Sequence, residues 1–239
     1  MFGKLSIKPL SVLFVVLCVG ITGCAYQPGE TIGQNPVARK FTWFSYLDGS
    51  DIRVNCTVGA PLAMRAVYNG VYDEQIRTYE FKSRPGEPGA FDLSVRVIGE
   101  ADLSEIKVGR FSQLLDPWRG TGAKTILRPK DVELFVNALR SDGALLPAPE
   151  GMELHSDEFY WIVSGCVEGK WVFHAFKWPD ASFESAQFPV LLTGWDMTGV
   201  AINPPRKVLD VDSPLRRPEE TRADFQVRIG KEGLWGIMR

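Results

Sequence analysis

Residues 159–167 and 170–178 form two apolar runs that meet across Glu168-Gly169, and few arrangements accommodate them. That dipeptide is a two-residue turn signal, so the runs pair as an antiparallel hairpin. In this register Phe159, Trp161, Val163, His174, Phe176 and Trp178 share one face. Tyr160, Ile162, Ser164, Cys166, Trp171, Phe173 and Ala175 share the other. Side chains alternate across a strand, so an apolar set on both faces demands cover on both. The hairpin is expected at the centre of a sheet, with a layer packed on each side.

Strand patterns recur along the chain. Phe91, Leu93, Val95 and Val97 alternate with Asp92, Ser94 and Arg96, which predicts an antiparallel strand wet on one side. Asn69-Gly70 predicts a second hairpin, entered by residues 65–68 and left by 75–82. Asp48-Gly49 predicts another over residues 41–56, with Trp43 opposite Val54, Ser45 opposite Ile52 and Phe41 opposite Cys56. Residues 110–125, with Pro117, Gly120 and Gly122, read as a loop. One helix is well marked: Pro129 opens it, Asp131 and Glu133 suit its positive end, and Val132, Phe135, Val136 and Leu139 form its stripe. Gly143 supplies the stop. A short helix or irregular segment is expected at 182–192 and strands at 225–229 and 234–238. The fold class that follows is mainly β (α+β): an antiparallel two-sheet, sandwich-like domain with one or two helices.

The N-terminus carries a different message. Lys4 and Lys8 precede an apolar stretch over residues 10–21, followed by Ile21-Thr22-Gly23-Cys24. The stretch is short for a membrane span and has the parts of a secretory signal. Residues 21–24 resemble the lipobox of bacterial lipoproteins in spacing and residue type, and the resemblance covers about the first 25 residues. It implies cleavage between Gly23 and Cys24, palmitate-type acylation of Cys24, and a membrane partner reached through that lipid. Ala25, being no aspartate, implies the outer membrane, with the body facing the periplasm. The domain organisation expected is a signal over 1–23, the acylated cysteine with a flexible, Pro- and Gly-containing tether over 24–37, and one mainly β domain over 38–239 with a charged C-terminal extension.

The chain's net charge of −2 falls by two more once Lys4 and Lys8 leave with the signal. A mildly acidic body argues against a nucleic-acid partner. Cys56 and Cys166 remain in an oxidising compartment, where a disulfide is favoured. Two separate buried thiols and a catalytic thiol are the competing readings.

Candidate chemistry is sparse. His155 and His174 match no zinc spacing, and no Cys-x-x-Cys accompanies them, so neither a metal nor another cofactor is expected. His174 lies on an aromatic wall, where a core histidine outweighs a base; His155 lies in a polar approach to a strand. Ser156 and Ser164 offer triad combinations without a nucleophile-elbow motif. Residues 120–125 lack the spacing of a phosphate loop. The densest polar cluster is Arg65, Tyr68, Asn69, Tyr72, Asp73 and Arg77, a residue set suited to a recognition surface, against the plainer reading of a solvated turn. Residues 206–228 read either as a partner-docking peptide or as a solvated crossing segment. The functional expectation is a membrane-anchored envelope lipoprotein that is a non-catalytic binding or accessory subunit with an envelope protein partner. The alternatives are a hydrolase of envelope glycan or lipid and a purely structural tether.

Overall fold

The computed structural model describes Ala25, Tyr26, Ile32 and residues 35–99, 116–207 and 224–238. Gly23 and Cys24 of the lipobox, and residues 208–223 of the charged tail, lie outside these. In chain order the elements are α1 (Pro36–Asp48), α2 (Ser50–Arg53), β1 (Ala63–Gly70), β2 (Gln75–Ser83), β3 (Phe91–Gly99), α3 (Asp116–Arg119) and β4 (Thr121–Leu127). Then follow α4 (Pro129–Ser141), β5 (Glu153–His155), β6 (Phe159–Val167), β7 (Lys170–Lys177), α5 (Ala181–Ser185), α6 (Phe188–Gly194), β8 (Gln226–Ile229) and β9 (Leu234–Met238). The strands form an antiparallel six-stranded sheet, β4-β3-β2-β1-β6-β7, and a three-stranded sheet, β5-β8-β9.

The apolar hairpin pairs as its pattern dictates, with Val167 opposite Lys170 and Trp161 opposite Phe176. Its first strand, β6, is buried throughout and sits between β1 and β7. Its second strand, β7, lies at the sheet edge instead of the centre. On one face Trp161, Val163, Tyr79, Phe81 and Leu93 pack against Phe135 and Leu139 of α4 and Phe188 and Leu192 of α6. On the other, Val67, Ile76, Tyr160, Ile162 and Phe173 pack against Trp43, Tyr46 and Leu47 of α1 and against Leu154, Val227 and Ile229 of the small sheet. The molecule is thus mainly antiparallel β, with the large sheet covered on both sides.

The expected hairpin over 41–56 is instead α1 and α2. Asn35 caps α1 by accepting from the backbone N–H groups of Val37 and Ala38, both at 3.1 Å, and Pro36 follows at its first turn. Gly49 ends it in the left-handed region at φ 67°, its N–H donating to the Tyr46 carbonyl. Asp-Gly serves a hairpin turn and a helix terminus equally well, because both need positive φ. Burial decided the matter: Trp43, Tyr46 and Leu47 stand three and four residues apart, on one helical stripe. A Cβ on Gly49 would fall 2.6 Å from Ser164 Oγ, so α1 turns directly against β6.

Three further expectations are corrected. β1 runs through Asn69-Gly70, and the turn falls on Val71–Glu74, where the N–H groups of Glu74 and Gln75 both donate to the Val71 carbonyl. The expected loop over 110–125 contains the start of β4, which pairs with β3 along the sheet edge. The region expected as a free tether holds two buried side chains, Tyr26 and Ile32, both packed in the α1-side core. Cys56 and Cys166 are bridged, linking the segment after α2 to β6 across 110 residues.

Candidate functional site

The polar cluster expected at the surface is mostly inside. Arg65, Tyr68, Asn69 and Arg77 are buried, while Tyr72 and Asp73 are part-exposed. The pleat separates them: Val67 faces α1 and Tyr68 faces α4, so Arg65 and Asn69 follow Val67, and Arg77, two residues before Tyr79, follows the opposite face. Arg65 makes a two-pronged pair with Asp51, both contacts at 2.8 Å, donates to the Tyr46 carbonyl, and stacks 3.8 Å above the Tyr46 ring. Burial alone lowers the pKa of this guanidinium, but Tyr46, Asp51 and Glu80 outweigh it and raise the net value. Asn69 donates to the carbonyls of Ser156 and Glu158.

On the far face Arg77 recognises a piece of its own chain. It pairs with Asp196 and donates to the Val200 carbonyl and to Gln75 Oε1. Gln75 donates to the Ala201 carbonyl and accepts from Asn203 N–H, both at 2.9 Å, and the Tyr68 hydroxyl donates to the Asn203 carbonyl at 2.6 Å. These side chains hold residues 196–203 as a strap across the β1–β2 end of the sheet.

The histidines and serines do not assemble. Ser164 shares the α1-side face with Ile162, whereas His174 stands opposite Val163 on the other face. Burial, offset in part by the backbone at Leu146 and Pro147, holds the His174 pKa below its ordinary 6.5. Ser156 Oγ accepts from Phe225 N–H at 3.3 Å, and the His155 N–H donates to Glu158 at 3.0 Å. Residues 121–125 lie in extended edge strand β4, which offers no wrapped amide cradle for phosphate.

The exposed feature that stands out is Trp235, 72% accessible on β9. Ile229 pairs with Leu234 and Arg228 with Gly236, so Trp235 is the extra residue of a β-bulge. Bulges re-aim side chains, and this one turns the indole outward. The turn before it is pinned: the Glu232 carbonyl accepts from Arg53 and Trp171, both at 2.9 Å, and Leu234 N–H donates to Asp48 Oδ1 at 2.8 Å. A Cβ on Gly233 would meet Asp48 Oδ1 at 2.1 Å, which explains the glycine.

Trp235 stands between two clefts. One, about 580 Å³, is lined by Glu150, Glu153, Arg228 and Lys231. The other, about 440 Å³, is lined by Phe44, Ser45, Asp48 and Arg53. The Arg228 guanidinium lies 5.6 Å from the indole centroid and pairs with Glu153. That hydrogen bond holds the Glu153 carboxyl below its usual range. An exposed indole rimmed by fixed charges can stack on a ring or an apolar side chain while the rim hydrogen-bonds polar substituents. His155 and His174 line neither of these clefts.

In the sequence pattern 234–238 is marked only as a closing strand, so Trp235 does not stand out there as a site. The signal available was a tryptophan beside the inward Leu234, an aromatic placed where alternation calls for a polar residue. Among the described residues no helix is long and apolar enough to cross a membrane. No family model, curated protein or solved structure matches the chain.

Proposed function

We propose that this chain is a lipid-anchored protein of the bacterial envelope, held in the outer membrane through Cys24 and facing the periplasm, which acts as a non-catalytic binding or accessory subunit. The lipobox-like run Ile21-Thr22-Gly23-Cys24 supports the address. The observation that carries the binding role is Trp235, held outward by a bulge between two clefts on a pinned turn. An exposed tryptophan with a charged rim is the composition of an energetic anchor at an interface. At this cleft the Glu153 carboxylate pairs with Arg228, which holds its pKa below the usual range, the reverse of what a general acid there would need.

The test is a crosslinking pull-down of the acylated protein from envelopes, beside Cys24→Ser and Trp235→Ala. A recurrent partner is expected, lost with the anchor and depleted by Trp235→Ala, since such an anchor contributes about 2 kcal/mol or more. Recovery of the same partner at full yield by Trp235→Ala would remove this site from the reading. Release of envelope glycan or lipid fragments by the purified protein would replace it with the hydrolase.

A further inference from the structure

We infer that the domain sits directly on the bilayer, with the disulfide-braced segment 54–61 as its lipid-contacting face. The inference rests on acylation of Cys24 and adds an orientation to it.

The first observation is the seat of Tyr26. This residue is only 4% exposed. Its N–H donates to Ser45 Oγ at 2.9 Å, its ring stands edge-on to Tyr46 at 4.8 Å, and the Arg65 guanidinium lies 4.9 Å from the ring centroid. Cys24 precedes it by two residues, so chain length alone keeps the acylated residue within about 7 Å of this seat, Cα to Cα. A clamp this close to the lipid leaves no leash between body and bilayer.

The second observation is what surrounds the seat. Tyr26 lines a cleft of about 210 Å³ whose walls include Ile52, Pro61, Met64 and Phe81, with Cys166 of the disulfide. Beside it, Val54 is 75% and Val58 98% exposed. The segment bearing them is braced by the Cys56–Cys166 bridge and by a turn in which Ala60 N–H donates to the Thr57 carbonyl at 2.8 Å. It packs so closely on the β6–β7 turn that a Cβ on Gly169 would meet the Thr57 carbonyl at 2.7 Å. The charged groups of the cleft are already paired: Arg65 with Asp51, and Lys82 with Glu80.

Two valines on a rigid projection bind a membrane weakly by themselves. Beside a covalent lipid the second contact becomes intramolecular, so weak insertion suffices. The opposite end of the sheet, where β7 leads into α5, then points to the periplasm.

The test uses the full acylated chain in vesicles of phosphatidylethanolamine and phosphatidylglycerol, with a nitroxide at Val58→Cys or, for comparison, at Ser182→Cys on α5. The label at position 58 is expected to be relaxed by oxygen and shielded from a water-soluble nickel complex; the label at 182 should show the reverse. Tyr26→Ala, still acylated, should abolish the shielding at 58. Equal access of the nickel complex to both positions in an acylated chain overturns this inference and leaves the lipoprotein reading intact. Shielding at 58 from both relaxants, with broadening between labels, indicates a second copy on this face and also overturns it. Absence of acylation at Cys24 by mass measurement overturns both.

Discussion

Arg65 and Arg77 lie on neighbouring strands, are both buried, and both pair with an aspartate, yet they hold the molecule in different ways. Arg65 reaches partners 14 and 19 residues away, tying β1 to α1 and α2 around the seat of Tyr26. Arg77 reaches 119 and 123 residues along the chain, to Asp196 and Val200 in a strap that follows α6. The aspartate of the first pair belongs to a helix wedged between α1 and the disulfide. The aspartate of the second belongs to the 196–203 strap, which lies outside any helix or strand. One arginine ties the sheet to the helices that follow the N-terminal seat, whereas the other ties a strap across its end.

The contrast predicts a ranking. Arg65→Met strands Asp51 inside the protein and should cost about 3–5 kcal/mol in urea unfolding, whereas Arg65→Met with Asp51→Leu should recover most of that loss. Failure of the double variant to recover would mean that the pair does more than offset its own desolvation.

Arg77→Met should cost less, about 1–3 kcal/mol, because release of the strap returns Asp196 to water and caps the penalty. Hydrogen exchange should accelerate at residues 197–206 while β6 stays protected. Equal acceleration in β6 would erase the distinction between the two arginines.

The smallest effect concerns pH. His174 faces the side of the sheet shared with Arg77, and its folded pKa lies below 6.5. The unfolded chain therefore binds the proton more readily. The stability this contributes is present above pH 6.5 and declines as pH falls below it. His174→Phe should flatten that decline in melts taken between about pH 7 and 5. An unchanged profile would assign the decline to carboxylates.

Much of the fold was legible in local pattern. The 159–178 hairpin, the strand at 91–97 and the helix opened by Pro129 each have a period and a boundary that agree. The Cys56–Cys166 bridge was legible too, although the hairpin register used to bring Cys56 inward was not the route the chain takes. The site was far less legible. Arg65, Tyr68, Asn69 and Arg77 make a recognition surface on paper, because sequence proximity hides that a strand sends neighbours to opposite faces. Their polar groups are consumed by α1 and α2, by the carbonyls of Ser156 and Glu158, and by the 196–203 strap, partners that no local window contains.

The sequence by itself determined where apolar faces must be covered, which residues open and stop the Pro129 helix, and that two cysteines remain after the signal-like N-terminus. Only the tertiary structure decided whether Asp48-Gly49 closed a hairpin or ended a helix, because both states satisfy its backbone equally. It also decided that Tyr26 is seated while Trp235 is left in water. Burial is a property of what arrives from elsewhere in the chain: Tyr46 and Arg65 seat Tyr26, and that residue's neighbours in sequence do not specify them.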